Sequence, residues 1–205
     1  NKKRNYFKYV LFEVHKRYPI CMKDILILYY SKNDSTKKMA RAISRGIESS
    51  GITSSIIRTV KSDHYKDTDD MLVTKDDLKN CSGMIIGSPT HFGNMAAPLK
   101  AFFDNTTEEW FNNTLESKLG GVFTSTSSMH GGQETTLLSM MLPLIHHGMI
   151  IAGVPYSEKN LSSTSSGGTP YGPSHVSHNH KTDLTDEEKL ICLSYGKRFA
   201  KLVEK

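Results

Sequence analysis

Three segments of this 205-residue chain gather small hydroxylated residues, glycine and asparagine where a ligand can reach the backbone. The first is Ser31-Lys32-Asn33-Asp34-Ser35-Thr36, which follows an apolar run and leads directly into a helical pattern. Hydroxyls and free N–H groups at a helix start suit a phosphate monoester. The segment lacks glycine, so it is neither a P-loop nor GxGxxG, which argues against nucleoside triphosphates and a Rossmann dinucleotide site. Taken alone it reads first as an ordinary N-cap by Ser35 or Thr36. The second segment, Ser88 to Pro98, holds proline, glycine and asparagine. It predicts an irregular backbone that cannot continue the strand before it and whose N–H and C=O groups can read the polar edge of a planar heterocycle. The third, Ser125 to Glu134, has two glycines among hydroxylated residues, so a flat ligand can approach its backbone closely.

These segments sit between elements of alternating type. Apolar β-branched runs predict strands at 24–30, 52–60, 82–88, 119–126 and 148–154. Met39, Ala40, Ile43 and Ile47 recur at helical spacing, with Gly51 as a stop. Further helices are predicted at 96–106, at 133–147 with a bend at Pro143, and at about 185–204. The last opens on a Thr185/Glu188 capping box and lays Cys192, Tyr195, Phe199 and Leu202 on one face. Alternating buried strands and helices predict an α/β fold, a three-layer sandwich around a five-stranded parallel sheet. The strand order expected is 2-1-3-4-5, the flavodoxin-like order, in which ligands bind beyond the carboxyl ends of the strands. All three segments fall at that edge. Two connections, 61–80 and 155–183, are long enough to form lids or interfaces.

Composition removes several classes. The formal charge is +5, but residues 1–21 hold six basic groups against one acidic, and the other 184 residues carry 20 of each. The body is not basic and has no reading motif, so no nucleic-acid partner is expected. No apolar run is long enough for a membrane span. Three widely spaced cysteines predict free thiols in a reducing, cytoplasmic setting. His175, His178 and His180 lie close together, but among Ser, Gly and Pro they read as solvated loop histidines rather than metal ligands. We expect a basic extension over 1–21 and a folded domain over 22–205.

The segments GSPTHFGNMAAPLKAFFD (87–104), VFTSTSSMHGGQETTL (122–137), HHGM (146–149) and GGTPYG (167–172) together resemble the WrbA-type NAD(P)H:quinone oxidoreductases. These are FMN-dependent proteins of flavodoxin fold, and the resemblance covers about 22–205. It implies a phosphate loop at Ser31, Lys32, Asn33, Asp34, Ser35 and Thr36. It implies an isoalloxazine loop at Thr90, His91 and Phe92, flanked by Pro89, Gly93 and Asn94. A second flavin loop falls on Ser125, Thr126, Ser127, Ser128, Met129 and His130. His147 matches a catalytic residue beside the flavin, where it can stabilise charge on the reduced ring or give a proton to the quinone oxygen. Trp110, with Asn33, matches the substrate pocket. The implied activity is ping-pong, two-electron reduction of quinones by NADH or NADPH, in a homotetramer. Asn33 stands where several members carry an aromatic, and His91 where arginine is usual. The alternatives are a one-electron carrier of the same fold and a scaffold that has lost FMN.

Overall fold

The computed structural model describes residues 23–51, 53–62, 70–177 and 182–205. The expected extension over 1–21, Cys21, His178 and His180 lie outside the described residues.

Strand β1 (Lys23–Tyr29) is flanked by β2 (Thr53–Thr59) and β3 (Gly83–His91), and β5 (Leu119–Thr126) pairs with the far side of β3. All these pairings are parallel, and with β6 (Ile150–Ile151) beyond β5 the order β2-β1-β3-β5-β6 is the flavodoxin-like 2-1-3-4-5 among the parallel strands. Because β1 is covered on both faces it has no polar side. Ile25, Ile27 and Tyr29 pack against α1 (Ser35–Glu48) and the C-terminal helix (Asp186–Val203). Leu26 and Leu28 face the opposite layer with Leu99, Leu137, Met140 and Leu144. The predicted face of α1 is buried as expected, Met39, Ala40, Ile43 and Ile47 all being fully covered.

The remaining elements complete the layers. They are α2 (Lys75–Asn80), β4 (Asn94–Met95), α3 (Ala97–Asp104), α4 (Thr107–Phe111), α5 (Gln133–His146), β6 (Ile150–Ile151), α6 (Lys159–Ser163) and β7 (Ser174–Val176), with the C-terminal helix as α7. Helix α5 continues through Pro143 to His146. α1 and α7 cross at backbone contact: a Cβ on Gly46 would lie 2.2 Å from the Leu193 carbonyl oxygen, and one on Gly196 2.1 Å from that of Ile43. Two mid-helix glycines each cost about 1 kcal/mol of helix propensity, and here they let the two helices share one face of the sheet.

Two expectations are corrected. Strand β3 does continue past Ser88, reaches His91 and turns back through Phe92 and Gly93 into β4. Both turn residues have positive φ, 54° and 75°, the geometry that matches strand twist in a two-residue hairpin. The predicted strand 148–154 is only two residues long. After pairing with Leu119 and Gly120 the chain leaves the sheet, because the returning Pro170 carbonyl occupies the space beside Gly153, 2.3 Å from where its Cβ would be. The chain re-enters as β7, pairing with Thr124–Thr126, so two short strands share the fifth position.

Glu188 holds that excursion to α7. Its carboxylate accepts from Ser166 Oγ (2.8 Å), Gly167 N (2.9 Å), Val176 N (3.0 Å), Thr185 N (2.9 Å) and His175 Nδ1 (2.7 Å). The Thr185/Glu188 capping box is present as expected. His175, expected in solvent, is 1% exposed. It is buried because Glu188 gives its ring a charged partner inside the protein.

Burial works against the Glu188 carboxylate, but the His175 ring and the backbone N–H groups hold its pKa down at about 2, against the usual 4.5. The stability it gives is therefore complete above pH 4.5 and is lost as pH falls toward 2. Removing one partner of a buried pair costs about 3–5 kcal/mol, so Glu188→Ala should lower the urea midpoint at pH 7 by that equivalent. An unchanged midpoint would show that these contacts do not hold the excursion.

Candidate functional site

The register of the sheet brings three strands from apolar to hydroxylated residues at one level. Tyr29 pairs with Gly87, Gly87 with Phe123 and Ser88 with Thr124, so Ser31, Thr90 and Ser125 follow at the same edge. There a cleft of about 620 Å3 opens.

Of the first segment, Ser31, Lys32, Asn33, Ser35 and Thr36 line the cleft. Asp34 does not. It caps α1 in the left-handed region (φ 62°), its side chain makes no bond to the first turn, and it is exposed. The carboxylate thus stays out of a site suited to an anion, while α1 points its N-terminus there. Ser31 Oγ is buried with no hydrogen-bond partner among the described residues. A buried hydroxyl at the edge of this cleft has its hydrogen-bonding capacity free for a ligand.

Of the second segment, Pro89, Thr90 and His91 line the cleft, whereas Phe92, Gly93 and Asn94 form the hairpin tip beyond it. The Phe92 ring is fully exposed. Of the third, Ser125, Thr126 and Ser127 line the cleft, while Met129 and His130 line a separate depression near the start of α5. Ser128 lines neither; its carbonyl accepts from Gln133 Nε2 (3.3 Å). Gly131 is required beside it, since a Cβ there would lie 2.2 Å from Thr126 Oγ1.

Hydroxyl pairs stitch the segments together. Thr36 Oγ1 meets Ser125 Oγ at 2.8 Å, and Ser35 Oγ meets Ser177 Oγ at 3.0 Å. Thr124 Oγ1 donates to Ser88 O (2.7 Å) and so accepts from Thr90 Oγ1 (3.1 Å). Ser177 and Thr182 also line the cleft, and the sequence reading missed both. Ser177 directly follows β7, so the rule that ligands bind beyond strand ends would have found it had that strand been recognised.

His147 and Trp110 lie elsewhere in the chain. They line a second cleft of about 430 Å3, between α4 and the end of α5. Trp110 Nε1 donates to His146 O (2.9 Å), and the half-exposed indole rests beside the exposed Phe111 ring. His147 Nε2 meets Thr106 Oγ1 at 2.9 Å, and Thr106 already donates its only proton to Phe103 O (2.7 Å). The ring must therefore carry its proton on Nε2, which leaves Nδ1 a buried acceptor with no partner among the described residues.

A family model described as NADPH-dependent FMN reductase matches residues 24–159. An NAD(P)H dehydrogenase (quinone) of Azorhizobium caulinodans is 40% identical over 162 residues, covering 74% of this chain and 81% of its own. One from Rhizobium rhizogenes is 34% identical over 196 residues, covering 90% and 98%. In structure the chain is similar to a WrbA-like flavodoxin from Agrobacterium tumefaciens, with a TM-score of 0.69 at 20% identity over 89% of this chain and 98% of that one. It is also similar to flavodoxin 2 of Bacillus cereus, with a TM-score of 0.60 at 18% identity over 87% and 99%. These two likenesses speak to the fold.

Burial lowers the His147 pKa below its usual 6.5, against a smaller upward pull from Glu109. The stability from keeping the ring neutral is whole above pH 6.5 and is lost as pH falls through the lowered value. Imidazole nitrogen NMR at pH 7 should show His147 as the Nε2–H tautomer, with a protonation midpoint below 6.5. An Nδ1–H signal would refute the Thr106 assignment.

Proposed function

The chain belongs to the family described as NADPH-dependent FMN reductase, and on that membership we propose that it is an FMN-dependent NAD(P)H:quinone oxidoreductase. The observation that carries the reading is the buried, unpartnered Ser31 hydroxyl in a cleft at the N-terminus of α1. That donor set fits the phosphate of FMN. Bound there, that cofactor would supply the two-electron chemistry between NADH or NADPH and a quinone.

Ser31, Ser35 and Thr36 would give hydroxyl donors to the phosphate, and Lys32 and Asn33 line the same end of the cleft. Asp34 takes part through its backbone, which sets the start of the helix. Pro89, Thr90 and His91, with Ser125, Thr126 and Ser127, line the rest of the cleft and would hold the ring.

His147 is assigned as the catalytic residue and Trp110, with Asn33, as substrate-binding. Lining the second cleft, His147 would stabilise charge on the reduced flavin or give a proton to the quinone oxygen. Its cleft is apart from that of Ser31 in one chain, and this supports a homotetramer in which a neighbouring copy completes the site. Leu138, Leu142 and Ile145 form an exposed apolar stripe along α5, and Phe92, Phe111 and Ile150 are exposed as well. Such surface is costly to leave in water and fits burial between copies. Phe92, Gly93, Asn94, Ser128, Met129 and His130 are assigned to flavin contacts made in that assembly. The charge-neutral body and buried thiols of Cys81 and Cys192 fit a cytoplasmic enzyme better than a carrier with an acidic docking face.

Anaerobic stopped-flow tests the reading. The flavin absorbance of the FMN-loaded protein should bleach in a single phase with NADH or NADPH and return on mixing with benzoquinone. Bound flavin that neither nucleotide reduces would make the protein an electron carrier. Ser31→Ala removes one donor to a charged group, worth about 1.5–3 kcal/mol, so FMN should bind at least tenfold more weakly by flavin fluorescence titration. Unchanged affinity would remove Ser31 from the phosphate site.

A further inference from the structure

A line of hydrogen bonds runs from the interior to the phosphate end of the cleft. Glu188 Oε2 meets His175 Nδ1 at 2.7 Å, and His175 Nε2 meets Ser177 Oγ at 3.0 Å. Ser177 Oγ in turn meets Ser35 Oγ at 3.0 Å. Glu188 and His175 are each 1% exposed, and Ser177 and Ser35 line the cleft.

The inner end has a fixed polarity. Glu188 accepts from four other donors and is ionised, so His175 Nδ1 must carry a proton and donate it. Nε2 then has two states. With a neutral ring, Nε2 accepts from Ser177, Ser177 accepts from Ser35, and the Ser35 hydroxyl has spent its proton inward. It can then offer the cleft only lone pairs, which repel a phosphate oxygen. Turning Ser35 outward alone would set the lone pairs of Ser35 and Ser177 against each other at 3.0 Å. With a doubly protonated ring, Nε2–H donates to Ser177, Ser177 donates to Ser35, and Ser35 donates into the cleft.

On the FMN reading above, we propose that His175 is a positioning residue for the flavin phosphate: binding the phosphate reverses the two serine hydroxyls and draws one proton from solvent onto His175 Nε2. Three protons along the line become four, no heavy atom moves, and the added positive charge rests beside the Glu188 carboxylate. Other titratable groups packed around the ring leave that change possible. Asp183, in the turn before α7, lies within electrostatic reach of His175 and is paired with Lys38 of α1 at 2.7 Å. Burial pushes the Cys192 thiol far up, so it stays neutral beside Glu188.

The test is calorimetric titration of the apoprotein with FMN and with riboflavin, at pH 8 in phosphate-free buffers of different ionisation enthalpy. At pH 8 a phosphate monoester, whose second pKa is about 6, is dianionic, so any proton taken up goes to the protein. FMN binding should take up most of one proton per site, and riboflavin, which lacks the phosphate, none. Between pH 7.5 and 9 the FMN affinity should fall by up to about tenfold per pH unit, the limit for one linked proton. Ser177→Ala cuts the line but keeps the His175–Glu188 pair, and His175→Gln keeps two polar ends but cannot take the proton. In both variants proton uptake and its pH dependence should vanish, and affinity at pH 7.5 should drop about tenfold. FMN binding without proton uptake in the unmutated protein, or uptake retained by Ser177→Ala, would overturn the relay and leave the flavin reading standing. Failure to bind FMN at all would overturn both.

Discussion

Strands buried on both faces leave a parallel sheet one place for polar side chains, beyond the carboxyl ends of its strands. β1 is apolar through Tyr30 and then meets Ser31; β5 is apolar through Phe123 and then runs Thr124, Ser125, Thr126. The parallel register aligns these changes, so hydroxyls from three strands reach one level although they are far apart in the chain. The N-terminus of α1 arrives at that level because α1 begins where β1 ends. Every functional assignment made for the cleft depends on this alignment of strand ends.

The fifth strand position shows what it costs to keep that edge intact. The chain leaves the sheet after Ile151 and returns only at Ser174, which exposes N–H groups along the way. A single carboxylate, Glu188, collects them from both sides of the excursion while it caps α7. A buried charge is unfavourable unless its donors are close to complete, and five donors meet that condition here. The same anchoring places Ser177 at the cleft and fixes the His175 ring behind it, so a stabilising device also shapes the site.

The two histidines differ in how far their partners constrain them. His147 faces a threonine whose proton is already committed to a helix carbonyl, so its tautomer is set by the fold. His175 faces a serine that can donate or accept, so its outer nitrogen answers to what enters the cleft. Hydroxyl pairs such as Ser35–Ser177 and Thr36–Ser125 share this freedom, because either oxygen can be the donor. A cleft lined this way can reorganise its hydrogen bonds around an anion without moving its backbone.

Much of the fold was legible in the sequence because its signals are local. The all-apolar run of β1, the helical spacing of Met39, Ile43 and Ile47, and the Thr185/Glu188 box each lie within one or two turns of chain, and each formed as expected. The cleft was legible for the same reason, since loops that follow strands must meet at one edge of a parallel sheet. Local pattern could not reveal β7, which is too short to show any period, or that the strand expected at 148–154 would shrink to β6, or the hairpin at Phe92 and Gly93, whose positive φ angles depend on the pairing of β3 with β4. Nor could it show that His175 is buried or that Asp34 turns outward. Whether a polar side chain is buried depends on whether a partner waits for it. Glu188, the partner of His175, takes its place only once helices and strands have packed, and Asp34 finds no side-chain partner in the first turn of α1 and stays exposed. The sequence by itself determined which residues would be core and which strand ends would carry hydroxyls. The tertiary structure decided which of those hydroxyls meet, because contacts between distant segments obey geometry and have no signature along the chain.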